Sequence, residues 1–135
     1  MTDKVTSFAQ CKVRGYNNLS DRAKLDYRYV CERLMAKGNL RSCDLQLVMN
    51  YARCCEDVRT ADEEIVKCGI LIKGYDRNGN ESTKPNPAIK IKYDAMAEMR
   101  QIALMFGITP QGRKRVNDDS SAEKSDLEKW MESNG

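Results

Sequence analysis

Residues 86 to 116 constrain this chain most. They run Asn-Pro-Ala-Ile-Lys-Ile-Lys-Tyr through Phe-Gly-Ile-Thr-Pro-Gln-Gly-Arg-Lys-Arg-Val. Asn86 is a good N-cap, and Pro87 sits where a missing N–H costs a helix nothing. Gly107 can take the left-handed conformation that ends a helix. The punctuation therefore predicts a long helix over 87–106. Thr109 and Pro110 repeat the cap-plus-proline signal and start a short helix that carries Arg113, Lys114 and Arg115.

The long helix is the most apolar element of the chain. One stripe is Ile89, Tyr93, Met96, Met99, Ala103 and Phe106; a second is Ile91, Ala95, Ile102 and Met105. Only positions 90, 94, 98 and 101 make a narrow polar face. A helix apolar over most of its circumference needs more than one neighbour. A second subunit is one source of that burial, and a core closed within the single chain is the other.

Two further long helices precede it. Ser20 caps a helix to about Lys37 whose apolar face is Ala23, Tyr27, Val30 and Leu34, and Gly38-Asn39 ends it. A short loop leads to a second helix, capped by Ser42 and reaching Lys67 or Cys68 before Gly69. The short loop predicts an antiparallel return. Leu45, Val48, Ala52, Cys55, Val58, Asp62 and Ile65 follow a near-heptad spacing that is broken at Asp62, which favours a bundle helix over an autonomous coiled coil. Residues 70–83 change character: Ile70-Leu71-Ile72 is β-like and Asn78-Gly79 is a hairpin-type turn, but Asn-Glu-Ser-Thr makes a poor partner strand. Either a small β-hairpin or an irregular projecting loop is expected. The fold class is all-α: a helical hairpin, a third long helix and a short C-terminal helix, with that insertion.

The organisation follows from composition. Residues 1–18 show no period and read as a flexible basic arm with Lys4, Lys12 and Arg14; residues 19–116 form the helical core; residues 117–135 form an acidic flexible tail. Net charge is +4 over residues 1–40, −2 over 41–83, +5 over 84–116 and −4 over 117–135. Such asymmetry points to nucleic acid at the basic face. The candidate phosphate contacts are Arg113, Lys114 and Arg115, with Lys84, Lys90 and Lys92 adding to the field. In the tail, Ser120 and Glu123 have capping-box spacing ahead of a weakly amphipathic segment with Leu127, Trp130 and Met131. That segment either docks in a partner's groove or folds back on the bundle.

Catalysis is not expected. The chain has no histidine, so the commonest general acid–base is missing, and no Gly-rich phosphate loop occurs. The six cysteines, at 11, 31, 43, 54, 55 and 68, include no Cys-x-x-Cys pair and read as reduced structural thiols rather than a zinc site. No cofactor is implied. No run of apolar residues is long enough to span a membrane, and the N-terminus lacks an apolar signal region, so a cytosolic protein is expected.

The order Lys84, Asn86-Pro87, long helix, Phe106-Gly107-Ile108-Thr109-Pro110, Arg113 resembles the small terminase subunits of tailed bacteriophages. The resemblance is good over 84–116, weaker over 20–69 and absent in both tails. It implies a ring-forming, non-catalytic helical protein in the host cytoplasm. Such a protein recognises the packaging start site on double-stranded viral DNA and hands it to the large subunit, which holds the ATPase and nuclease. The same resemblance makes the large subunit the partner of Leu127, Trp130 and Met131, and makes Asn86, Pro87, Gly107, Thr109 and Pro110 architectural. Two alternatives remain from the residues alone: a helical DNA-binding transcription regulator reading DNA through the turn at Gly107-Ile108-Thr109, and a structural adaptor that binds only protein.

Overall fold

The computed structural model describes residues 4–110 and residue 114. They form α1 (Asp21–Ala36), α2 (Leu45–Cys68), β1 (Leu71–Tyr75), β2 (Glu81–Pro85) and α3 (Pro87–Phe106). The chain divides into two compact units, residues 1–99 and 100–135.

In the first unit, α1 begins where Ser20 Oγ accepts the Ala23 N–H at 3.1 Å. Its buried face is Ala23, Tyr27, Val30, Cys31 and Leu34. It ends in a Schellman turn: the Gly38 and Asn39 N–H groups reach back to the Met35 and Leu34 carbonyls, which would otherwise be orphaned. Buried Leu40 anchors the loop. The expected Ser42 cap is not what starts α2. Ser42–Asp44 is a 3₁₀ turn, and the Asp44 carboxylate accepts the Arg41 N–H at 3.1 Å. A side chain that reaches back over the turn satisfies a donor that Ser42 leaves open, so the α-helix proper starts at Leu45.

Helices α1 and α2 pack as a helical hairpin. Leu45, Val48, Met49 and Ala52 of α2 are buried, as are the α1 residues they face. Full burial of one such large side chain contributes about 1.5–3 kcal/mol. The ion pairs that flank it, Arg22–Glu63 at 3.3 Å and Arg59 with Asp26 and Glu56 at 2.7 Å each, are half or more exposed at Arg22 and Glu63 and about a third exposed at Arg59. Exposed pairs contribute about 0–1 kcal/mol. Apolar burial therefore holds the pair together, and the charges fix its register.

The N-terminal segment departs from expectation. Read as a flexible arm, residues 4–18 are instead packed. Lys4 bridges to Arg41, and Val5 N–H donates to the Leu40 carbonyl at 2.9 Å. Two 3₁₀ turns follow, Phe8–Cys11 and Tyr16–Asn18. Gln10 Oε1 accepts the Thr6 and Ser7 N–H groups at 2.8 and 3.3 Å. Val5, Cys11 and Leu19 are buried, and the fully buried Tyr27 donates its O–H to the Cys11 carbonyl. The segment is fixed by irregularly spaced apolar anchors and side chain–backbone bonds, which leave no period in the sequence. Cys11 and Cys31 are free thiols buried beside Tyr27; burial raises the pKa of all three, so they stay neutral.

At about 36 Å, the 24-residue α2 is longer than the 16-residue α1 by two turns. Its C-terminal half receives the start of α3. Ala61 and Ala88 are buried there, and Lys92 Nζ lies 2.7 Å from Asp62 Oδ1. Between the two helices, residues 70–85 form an antiparallel hairpin with Leu71 opposite Pro85 and Tyr75 opposite Glu81. Of the two expectations for this stretch, the hairpin is what forms.

Asn86 ties these parts together. Its Nδ2 donates to the Gly69 carbonyl at 2.9 Å, at the end of α2. Its Oδ1 accepts the Ala88 N–H at 3.0 Å, capping α3. Its own N–H donates to the Ile70 carbonyl at 2.8 Å, closing the base of the hairpin.

Helix α3 runs over the expected span, but its covered face is different. The buried residues are Ala88, Ala95, Ile102 and Ala103, with half-buried Lys92 and Met99 on the same 4-3-4-3 spacing. The two predicted stripes are only partly covered: Ile91, Tyr93 and Met105 are exposed. In the second unit, α3 ends at Gly107, whose φ of 69° is the left-handed region. The Gly107 and Ile108 N–H groups donate to the Leu104 and Ala103 carbonyls, again a Schellman turn. Pro110 and Lys114 are helical.

Replacing Asn86 with alanine removes the α3 cap and leaves the Gly69 carbonyl without its donor. The expected cost is about 2–4 kcal/mol, read as a fall in the urea midpoint at fixed protein concentration. A loss below about 0.5 kcal/mol would contradict the role given to this side chain.

Candidate nucleic-acid interface

Twenty-three basic residues are too many to be a site, so the useful question is which of them lack a carboxylate. Three acidic residues of α2, Glu56, Asp62 and Glu63, are engaged by cations. Arg22 of α1 reaches Glu63, and Arg59 stands between Asp26 of α1 and Glu56. Glu56 also accepts the Ser20 hydroxyl at 3.0 Å. The Arg59 and then the Ser20 hydrogen bonds hold the Glu56 carboxyl below its ordinary range. Lys92 of α3 is held by Asp62, whose hydrogen bond and charge raise the ammonium pKa. Arg28 pairs with Glu32 at 2.8 Å and Lys73 with Glu81 at 3.1 Å.

The six expected contacts therefore separate. Lys84 lies on β2 opposite Ile72 and is exposed. Its stem lies over Gly74 of β1: a Cβ there would stand 3.0 Å from Lys84 Cδ and Cε, close enough that the lysine stem would have to shift. Lys90 is exposed in the first turn of α3, where the N-terminal dipole adds to the positive field. Neither has an ion-pair partner among the described residues. Lys92 differs from Lys84 and Lys90 in having a carboxylate partner. Two residues from Lys90, it points toward α2, and its charge is compensated by Asp62. Lys114 is exposed and helical. Arg113 and Arg115 lie outside the described residues, as do Leu127, Trp130 and Met131. The structure thus brings Lys84 and Lys90 to the hairpin–α3 junction, directly after Asn86 fixes the chain there.

A second basic surface was not legible in advance. Phe8 and Tyr16 stack edge-on at 6.0 Å, and Tyr27 lies behind both. Lys12 Nζ lies 5.8 and 5.9 Å from the two ring centroids, Lys24 5.4 Å from Tyr16, and the Arg28 guanidinium 4.8 Å from Phe8. Such cation–π contacts are each worth about 0.5–1 kcal/mol at exposed sites. Lys12 was noted in the sequence as part of a loose arm; its convergence with α1 becomes visible only once the 3₁₀ turns are in place. A faint signal existed in the four-residue spacing of Lys24 and Arg28, which places them on one face of α1.

Among the described residues no group of three or more His, Cys, Asp or Glu side chains could hold a metal ion, and no helix is long and apolar enough to cross a membrane. Burial pushes the thiols of Cys31 and Cys55 up, the latter to about 11, which makes them poor nucleophiles.

Comparison with known proteins gives a family. A family model described as phage terminase, small subunit, matches residues 23–123. No curated protein and no solved structure matches the chain.

Lys90 and Lys92 make a matched pair for testing the electrostatics. Lys90→Ala should weaken binding to duplex DNA and reduce the magnitude of the slope of log K against log salt by about 0.9, one phosphate contact. Lys92→Ala should leave the slope unchanged, because Asp62 already engages that ammonium. Equal effects in a salt titration would show that the Asp62 pairing does not persist in solution.

Proposed function

The chain belongs to the phage terminase small subunits, and from that premise we propose how its surfaces divide the work of DNA packaging. The small subunit is not the catalytic one; its task is to engage viral DNA and bring it to the large subunit. DNA is met by the basic segment that starts at the Asn86 junction: Lys84 and Lys90 from the hairpin and the first turn of α3, then Arg113, Lys114 and Arg115 beyond its end. These groups contact phosphates. Asn86, Pro87, Gly107, Thr109 and Pro110 place them and carry no base reading. Residues 19–116 act as the core, and residues 117–135 as a tail whose net charge of −4 turns it away from DNA. Leu127, Trp130 and Met131 in that tail give the large subunit an apolar anchor with a tryptophan, a frequent hot-spot type, at its centre.

The observation that carries this reading is the charge distribution on α2 and α3. Glu56, Asp62 and Glu63 of the acidic middle pair with Arg59, Lys92 and Arg22, while Lys84, Lys90 and Lys114 stay exposed. One subunit with so few contacts binds weakly. Ring assembly of identical subunits repeats the contact and multiplies the affinity. The exposed Ile91, Tyr93 and Met105 of α3 supply apolar surface for that assembly. The work takes place in the cytoplasm of the host, where viral DNA is packaged.

Changing Arg113, Lys114 and Arg115 together to alanine should reduce affinity for duplex DNA. It should also flatten the salt dependence by about 2.7 in slope, roughly 0.9 for each lost contact. An unchanged slope would move the DNA face to the cation–aromatic surface of Lys12 and Lys24.

A further inference from the structure

The hairpin β1–β2 buries no side chain on either face. Leu71, Lys73 and Tyr75 share one face with Pro85, Thr83 and Glu81 across the ladder, and all six are exposed. Leu71 and Tyr75 are 59% and 68% exposed. Two strands alone are marginal in water, yet this pair ends in a closely bonded turn. Asp76 Oδ1 accepts the Asn78 and Asn80 N–H groups at 2.9 and 2.8 Å. The backbone also closes from Asp76 to Asn80 and from Gly79 to Asp76, each at 3.0 Å. The result is a pre-organised projection tipped by Tyr75 and Arg77. Arg77 has no ion-pair partner among the described residues.

The same unit carries a recess of complementary character. Between α2 and α3 lies an open groove of about 320 Å³, lined by Asp57, Thr60, Ala61, Glu64, Ala88 and Ile91. Its floor is apolar because Ala61 and Ala88 are small and buried there, with Ile91 alongside. Its rim is acidic. Asp57 and Glu64 are exposed and, unlike their neighbours Glu56, Asp62 and Glu63, have no cationic partner among the described residues.

We propose that the hairpin tip of one copy seats in the α2–α3 groove of the next copy, with Tyr75 on the Ala61–Ala88–Ile91 floor and Arg77 against the Asp57 and Glu64 carboxylates. Charge selects this occupant. The chain's own residues 117–135 carry net −4 and would set carboxylates against carboxylates. The tip brings an arginine and a tyrosine, residue types enriched at interface hot spots, while the Asp76 carboxylate between them is engaged by the turn's own Asn78 and Asn80 N–H groups. Two different patches of one chain meet, so the contact is heterologous, and repeating it generates a ring when the rotation closes. The assignment rests on the reading of the protein as a homo-oligomer.

A charge swap tests it. Arg77→Glu reverses the tip, Asp57→Arg with Glu64→Arg reverses the rim, and a third chain carries all three changes. Each is followed by size exclusion with light scattering over a concentration series, with circular dichroism confirming native helix content. Either one-sided reversal should raise the concentration at half-assembly about tenfold or more, equivalent to about 1.4 kcal/mol per contact. The chain with both sides reversed should return to within about threefold of the parent. An assembled parent that is insensitive to both reversals, or a swap that restores nothing, overturns the hairpin contact alone. A parent that stays monomeric at every concentration overturns the contact together with the oligomer reading.

Discussion

One buried amide organises this chain. Asn86 is the only buried polar residue among the described residues, and it is bonded through both side-chain ends and its backbone. A polar group taken out of water must find partners or cost about 1–3 kcal/mol. Here each partner belongs to a different element: Gly69 ends α2, Ile70 opens the hairpin, and Ala88 starts α3. Moving any one of them would leave the amide unsatisfied. The direction in which α3 leaves α2, the projection of the hairpin, and the positions of Lys84 and Lys90 all follow from that single set of bonds.

The second constraint is how charge is compensated. In the sequence, the middle of the chain is acidic between basic flanks. In the fold, that acidity meets Arg22 and Arg59 along the α1–α2 hairpin and Lys92 on α3. These pairs leave most of the charges of the described residues without a partner, among them exposed lysines at the α3 junction, Lys12 and Lys24 beside the aromatic cluster of the N-terminal segment, and the Asp57 and Glu64 carboxylates on the rim of the α2–α3 groove. A small terminase subunit needs surfaces for DNA and for the large subunit, and in the proposed reading for its own copies; these charges are where such surfaces can form.

Backbone punctuation was the most legible part of the sequence. Ser20, Gly38, Gly69, Asn86-Pro87 and Gly107 mark helix ends by steric and hydrogen-bonding rules that act locally, and the helices end where those residues stand. Contacts between distant segments were less legible. The N-terminal segment packs through Val5, Cys11 and Leu19, whose irregular spacing follows two 3₁₀ turns rather than a helix period. On α3 the two apolar stripes contain Ala95, Ile102 and Ala103, which are buried, but also Ile91, Tyr93 and Met105, which the described residues leave exposed, because hydropathy says which side chains favour burial and not which of them meet a neighbour. Lys92 looked equivalent to Lys90 until Asp62, thirty positions earlier, was seen beside it. The family resemblance resided in the same punctuated stretch, and the match over 23–123 extends it through the helical hairpin.

The account turns on α3 and the hairpin being completed by other copies of the chain. A single chain leaves Ile91, Tyr93, Met105, Leu71 and Tyr75 in water, and the proposed DNA contacts of one subunit would gain strength by repetition. Native mass spectrometry of the purified protein at low micromolar concentration measures this most directly. The account predicts one dominant species of more than four copies of the 15.4 kDa chain. A spectrum dominated by the monomer would contradict it.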